Sequence, residues 1–252
     1  SSCASVRNES PLNNQPTIVI DRLSIWTDPA IQNNGDIDSI ANQMLNYRAF
    51  LTKNLFNDSS SIPIQVVLYK NQESYSKQQK TEIQSWAHYN ITTKTVHVSI
   101  DAPSQVWQHE FIHAILNQKN LRYPFWIHEG MSLLFQSIQP TDLSFCKVDV
   151  RLPSELYRFR NHLLELHKPI PIPEQNRFGR EDIFSDTVLS AYFAFFLYQR
   201  QQLIDLVRDF NNSNQSSFLL LLNGNYQDLK KLETEFYHWL ATDQPLESSR
   251  NC

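Results

Sequence analysis

Residues 106–137 read VWQHEFIHAILNQKNLRYPFWIHEGMSLLFQS, and the fold is expected to be built around this stretch. Ser104, just before it, is a residue type that caps helices, and the apolar residues that follow recur at helical spacing. A helix is therefore predicted to begin near Ser104 and to contain the letters HEFIH at 109–113. After a short loop at about 118–123, Pro124 suits the first turn of a second, mostly apolar helix.

Two histidines and two glutamates in this stretch have the spacing of a metal site. On a helix, His109 and His113 are about 40° apart in direction and one turn apart in height, so both imidazoles can reach one ion. Glu110 cannot coordinate in the same plane, but it can hold a water on the open side of the ion. Glu129 follows at a distance that allows one helix to end and a second to return beside it, which makes it the natural third ligand.

Two imidazoles and one carboxylate leave the fourth position of a tetrahedral ion to water, as in a catalytic zinc site. Zinc lowers the pKa of such a water to about 7, so Glu110 can accept its proton while the metal polarises a substrate carbonyl. The predicted reaction is hydrolysis of an amide. The five-residue pattern alone also arises by chance, and the alternative is a solvated polar helix face. A following Glu129 flanked by Trp126 and Gly130 makes the metal reading more specific.

The composition limits the class of protein. The chain has 252 residues, of which 41% are hydrophobic and 19% charged, with a formal net charge of −4. This balance offers no polyanion-binding face, so nucleic acid is not expected as a partner. The most apolar run, VLSAYFAFFLY at 188–198, is too short to span a bilayer and is predicted to be a buried helix. We expect a monomer that folds as one large domain or as two closely joined lobes.

The first residues, SSCASVRNESPLNNQ, are polar and lack apolar periodicity. They are similar to the end of a bacterial lipoprotein signal, with Cys3 as the acylated residue, although an ordinary polar terminus is the alternative. Acylation of Cys3 would leave Cys146 and Cys252 as a possible disulfide, and without it one thiol is free or pairs between chains. The expected location is the cell envelope, as a periplasmic lipoprotein, or the exterior. Membrane attachment is expected only through Cys3.

The predicted organisation has three parts: a polar tether at 1–16, a sheet-bearing lobe with the HEFIH helix at 17–118, and a helical lobe at 119–252. Strands are predicted at 17–26, 61–69 and 95–100. Helices outside the quoted stretch are predicted at about 36–56, 73–86, 152–167, 185–210 and 225–241.

Three further histidines are not predicted to be metal ligands, and a proline-rich segment is predicted to be a loop. Residues 95–100 alternate as in a half-buried strand, with His97 on the polar face. His97 and His88 are predicted to face solvent or the substrate cleft, and His128 to be a rim or surface residue. The segment KPIPIPEQNRFGRED at 168–182 is predicted to be an extended loop that borders the cleft.

HEFIH followed by PFWIHEGMS is similar to the motifs of the gluzincin clan of zinc metallopeptidases, above all its compact peptidase-MA-like members. The residues that match the second motif of that family are Pro124, Trp126, Ile127, Glu129, Gly130 and Ser132. The resemblance extends over about residues 17–241, but only the two motifs are specific.

This resemblance implies an α+β, zincin-like metallopeptidase fold, with a mixed sheet in the amino-terminal lobe, a helical carboxy-terminal lobe and zinc in the cleft between them. It implies a peptidase acting on peptides or proteins, with His109, His113 and Glu129 as zinc ligands and Glu110 as general base. The strand at 95–100 resembles the edge strand that pairs with an extended substrate backbone. Tyr192 is the candidate that would stabilise the oxyanion, and the competing tyrosines are Tyr198, Tyr123 and Tyr89.

The chain departs from two branches of the clan. Only Gly35 precedes Glu110, so the glycine-rich motif of the aminopeptidase branch is missing. Leu133 stands where the thermolysin branch has an aspartate that braces a ligand histidine, so the partners of His109 and His113 are not predicted. The alternative function is a zinc-bound, peptidase-like domain that serves as a non-catalytic or latent binding module. Filling of the space above the metal by the proline-rich segment or by residues 1–16 would favour this alternative.

Overall fold

The computed structural model describes residues 15–31, 34–56, 62–79, 85–119, 123–138, 149–166, 183–212, 229–242 and 247–249. The three cysteines, most of the predicted tether and the proline-rich segment lie outside these ranges, so the expectations for them stay predictions. Within the described residues, the protein combines a mixed sheet with many helices and so belongs to the α+β class. No helix in the described part of the chain is long and apolar enough to cross a membrane.

The main sheet has five strands in the order β1-β2-β3-β5-β4. The three inner strands are parallel, and each edge strand pairs antiparallel with its neighbour. The strands are β1 (Ile18–Ile20), β2 (Leu23–Thr27), β3 (Ile64–Tyr69), β4 (Ala87–Asn90) and β5 (Thr95–Ser99). The single strand predicted at 17–26 is a hairpin, because Asp21 and Arg22 adopt φ angles of 44° and 64°. Two successive positive φ values form the tight turn that matches strand twist.

The predicted half-buried edge strand at 95–100 is wrong in both respects. All five residues of β5 are buried, and β5 lies between β3 and β4. Helix α2 (Gln72–Gln79) covers the polar face, where His97 is buried beneath it. The edge strand is β4, which begins at Ala87 soon after the segment predicted to be helical up to Trp86. Local periodicity could not show that this short strand pairs with β5.

The opposite face of the sheet packs against α1 (Asn34–Phe56) and α3 (Ser104–Lys119), both close to their predicted positions. The remaining helices are α4 (Phe125–Phe135), α5 (Ser154–Tyr157), α6 (Arg160–Leu166), α7 (Ile183–Gln199), α8 (Leu203–Asn212) and α9 (Leu229–Ala241). Two predicted long helices are each divided into two, at α5/α6 and at α7/α8. The second break occurs at Gln201, which has a φ of 60°.

A two-stranded sheet of β6 (Asp149–Arg151) and β7 (Glu247–Ser249) adds strand structure to the part predicted to be all helix. Its strands are far apart in sequence and only three residues long, so no local sequence pattern indicates them. The large apolar core is continuous, because buried residues of the sheet, of α1 and α3, and of α4 and α7 belong to one cluster.

Helix α4 is held at its middle and at its carboxy-terminal end. A Cβ atom at Gly130 would lie 2.6 Å from Ala194 Cβ and 2.7 Å from the Ser190 carbonyl oxygen, so only glycine allows this approach to α7. At the carboxy-terminal end, the Tyr47 hydroxyl donates to the Phe135 carbonyl over 2.7 Å. Gln108 on α3 donates to the Ile138 carbonyl over 3.2 Å. Position and rotation of α4 are therefore fixed relative to α1, α3 and α7.

Candidate metal centre

His109, His113 and Glu129 form a compact group at the contact between α3 and α4. Each offers a ligand atom, and these atoms all lie within 4.8 Å of one another. The Nε2 atoms of His109 and His113 are 3.2 Å apart. Glu129 places Oε1 3.5 Å from His113 Nε2 and Oε2 3.8 Å from His109 Nε2. The three side chains predicted from the sequence to share one ion are thus brought together.

The spacing of these atoms fits a tetrahedral ion. Metal–ligand bonds of about 2.0–2.2 Å place the ligand atoms of such an ion about 3.3–3.5 Å apart. The observed separations of 3.2, 3.5 and 3.8 Å lie near this value. Two imidazole nitrogens and one carboxylate oxygen are also a donor set used for divalent metals of the first transition row. The group can therefore hold a metal ion.

Burial keeps both ligand histidines neutral, as metal binding requires. It lowers the pKa of His109, against a hydrogen bond with Gln136 that raises it. It lowers the pKa of His113 well below its usual value, and the neighbouring His109 and His128 lower it further. Burial raises the pKa of Glu129 to about 7. A divalent cation would favour the ionised form of this carboxylate.

Glu110 is half-buried beside the group and is tied to the edge strand. Its Oε2 atom accepts a hydrogen bond of 2.7 Å from the backbone N–H of Tyr89. Burial raises the pKa of Glu110 to about 7, the Tyr89 hydrogen bond opposes that rise, and the negative charge of Glu129 adds to it. One carboxylate oxygen is thereby fixed by β4. The sequence contained no signal for this contact, which depends on β4 being the edge strand.

The structure supplies partners for both ligand histidines. Nδ1 of His109 lies 3.0 Å from Gln136 Oε1, an atom that can only accept. The proton of His109 is therefore on Nδ1, and the lone pair of Nε2 faces the group. Nδ1 of His113 lies 3.5 Å from Nδ1 of His128. Gln136 follows Glu129 by about two helical turns, and this same-face spacing is the one signal that could have indicated it.

A cavity of about 490 Å³ opens at the group. Besides the ligands and Glu110, its described lining consists of His88, Tyr89, Ile91, Asn117, Tyr123, Phe125 and His128. His128 is half-buried and contacts His113, so it belongs to the cavity wall and not to the outer surface. His88 also lines the cavity, whereas His97 does not face it or the solvent: it is buried beneath α2, and the prediction for His97 is wrong.

Tyr192 is placed away from the metal group. It is fully buried in α7, its hydroxyl donates to the Leu156 carbonyl over 3.2 Å, and its ring packs edge-on against Trp239. It is not among the described residues that line the cavity. Of the competing tyrosines, Tyr89 and Tyr123 do line it. The helix that carries Tyr192 was found correctly from its apolar pattern, but that pattern does not show which side faces the site.

No protein-family model and no curated protein matches the sequence.

Proposed function

We propose that the protein is a zinc-dependent metallopeptidase of the gluzincin type, with a zincin-like fold, which hydrolyses peptide bonds in peptides or proteins. The observation that supports it best is the grouping of His109, His113 and Glu129 at tetrahedral spacing, with Glu110 in the same cavity. The order of these residues along α3 and α4 matches the two motifs of that clan.

His109, His113 and Glu129 would hold the zinc ion. Nitrogen and carboxylate donors suit zinc, and three protein ligands leave the position that a catalytic site needs for water and substrate. An ion held by these three residues would supply Lewis-acid chemistry, namely polarisation of the scissile carbonyl and a lower pKa for the attacking water. Gln136 contributes by keeping the proton of His109 on Nδ1, which directs the Nε2 lone pair to the ion.

Glu110 would act as the general base and then return the proton to the leaving amine. Its Oε2 is held by the Tyr89 N–H, which leaves Oε1 to accept a proton from water. Burial raises the pKa of Glu110 to about 7 in the metal-free chain, and the positive charge of a bound ion would favour the ionised form that accepts a proton. The cavity at the group provides space for a segment of substrate.

The decisive experiment compares the wild-type protein with Glu110→Gln on one peptide library. We expect about one zinc per chain in both proteins, because Glu110 is not a ligand. We expect the substitution to lower cleavage at least about a hundredfold, since it removes the proton acceptor. Glu165→Gln is the matched control: it makes the same change at an exposed position of α6, outside the cavity, and should leave cleavage unchanged.

Equal cleavage by wild type and Glu110→Gln would refute the mechanism. Zinc binding without cleavage of any peptide by the wild type would instead favour the latent or non-catalytic module. Attachment to the cell envelope through Cys3 is a separate prediction, tested by mass analysis of the mature amino terminus for a lipid.

A further inference from the structure

Two histidines that the proposed mechanism does not use are stacked on each other, and one of them lines the cavity at the metal group. His88 on β4 and His97 on β5 are directly paired on neighbouring strands of the sheet. Their rings are nearly parallel, with an interplanar angle of 4° and centroids 4.8 Å apart. His97 is buried, whereas His88 is half-buried and lines the cavity. His88 is thus the exposed end of a buried imidazole pair.

Both imidazoles are hydrogen bonded from behind. Nδ1 of His88 lies 2.8 Å from the Tyr75 hydroxyl, and Nδ1 of His97 lies 2.9 Å from the Tyr69 hydroxyl. Gln79 donates to the Tyr69 hydroxyl over 2.6 Å. Tyr75 and Gln79 come from α2, and Tyr69 comes from β3. Side chains of two elements, α2 and β3, therefore fix the two rings.

Covering a sheet face with these two imidazoles costs free energy. Polar groups lose hydration when they are buried, and apolar residues fill such a face at lower cost. Two neighbours on the same face, Trp26 and Val67, are largely apolar. Hydrogen bonds from fixed neighbours do, however, hold a side chain in one orientation. Because Tyr75 engages Nδ1 of His88, Nε2 is the ring nitrogen left for a molecule in the cavity.

His88 is also connected to the catalytic group through the backbone. The next residue, Tyr89, donates its N–H to Glu110, so one short strand carries both the imidazole and the contact that orients the carboxylate. A peptide lying across the metal group would pass this strand. We propose that His88 is a substrate-binding residue whose Nε2 hydrogen bonds to the bound peptide, and that Tyr75 and His97 position its ring. This inference rests on the proposed peptidase function.

The first test uses the peptide that the wild type cleaves fastest in the library digest, prepared as a fluorogenic substrate. His88→Leu should raise KM about five- to tenfold, the value of one hydrogen bond, and leave kcat within about twofold. His88→Gln, whose amide can reach the position of Nε2, should recover most of the loss. In the Glu110→Gln background, His88→Leu should weaken binding of the same uncleaved peptide by the same factor, measured by fluorescence anisotropy.

The second test asks whether Tyr75 acts through His88. Tyr75→Phe removes only the hydroxyl and should raise KM about threefold in the wild-type background. In the His88→Leu background it should have no further effect, because the ring that it positions is gone. A purely structural contribution of Tyr75 would instead add to that of His88→Leu. Thermal unfolding of each variant shows whether the fold is retained.

His162→Leu is the matched control, since it makes the same change at an exposed position of α6 outside the cavity, and KM should not change. If peptides are cleaved but KM and peptide affinity are unchanged in His88→Leu, the proposed function stands and this inference is wrong. Additive effects of Tyr75→Phe and His88→Leu would also overturn it. If the wild type cleaves no peptide, the proposed function fails and the inference fails with it.

Discussion

Gln136 shows how one amide can prepare a metal ligand. Its Oε1 lies 3.0 Å from His109 Nδ1, which fixes both the tautomer and the direction of the imidazole. Without an acceptor at this position, His109 could rotate or carry its proton on Nε2, where it cannot coordinate. The contribution of Gln136 is therefore to affinity for the metal more than to the stability of the fold.

We expect Gln136→Leu to weaken zinc binding about tenfold to a hundredfold, as is usual when an orienting partner of a ligand is lost. Competition with a chromophoric chelator measures this affinity. Gln136→Glu retains an acceptor and serves as the control, with affinity at least equal to wild type. Unchanged affinity in Gln136→Leu would show that His109 is oriented by something else.

The ligand residues could be predicted because their spacing is local. His109 and His113 share a helix face. Glu129 follows after enough residues for one helix to end and a second helix to return beside it. Contacts made by Gln136, Tyr89 and His88 could not be predicted in the same way. They depend on where separate elements meet, and in the case of Tyr89 and His88 on a strand that the local pattern did not reveal.

At the scale of elements, the contact between α4 and α7 carries Glu129 to the metal group. Gly130, the next residue, sits against Ser190 and Ala194 with no room for a side chain. Any larger residue has to move α4 away from α7, because one of the two close atoms belongs to the backbone. Such a movement would also shift Glu129 relative to α3.

Gly130→Ala is therefore expected to lower the free energy of unfolding by about 1–3 kcal/mol, the usual cost of overpacking a core, despite the higher helix propensity of alanine. Urea denaturation measures the change. Ser132→Ala on the same helix is the control: Ser132 is fully buried, and its hydroxyl has no hydrogen-bond partner among the described residues. Its loss should change stability by less than about 1 kcal/mol. Equal effects of both substitutions would contradict the packing argument.

The positions of the helices were easier to predict than those of the strands. The apolar periodicity of α1 and α3 located both to within a few residues, because a helix face is a local property. The position of β5 in the sheet is not local: Thr95, His97 and Ser99 look solvent-facing by type but lie under α2. Likewise, the two-residue turn at Asp21 contains no glycine, so the sequence did not indicate a hairpin there.

For the molecule as a whole, buried histidines couple folding to pH. Burial, together with the neighbouring His88, lowers the pKa of His97 to about 3, and burial alone lowers the pKa of His128 to about 4. A lowered pKa means that the folded chain binds fewer protons than the unfolded chain. Its stability is therefore complete above the unfolded value of about 6.5 and is lost as pH falls towards the folded value.

We expect the zinc-free protein to lose about 2 kcal/mol of stability between pH 7 and pH 5 through His97 alone. Urea denaturation at several pH values, in the presence of a chelator, measures this loss. His97→Gln should reduce the loss of unfolding free energy between pH 7 and pH 5 by about that amount, whatever its effect on stability at pH 7. An unchanged slope in His97→Gln would show that the ring is not buried in solution.

The hydrogen bond between Glu110 and Tyr89 has a second consequence, for the solubility of the folded chain. Strand β4 is an outer strand, and the unpaired N–H groups of such a strand invite a strand from another molecule. Glu110 occupies the N–H of Tyr89 with a side chain of the same molecule. The carboxylate that is proposed to move a proton thus also closes one donor position of this sheet edge to a strand from another molecule.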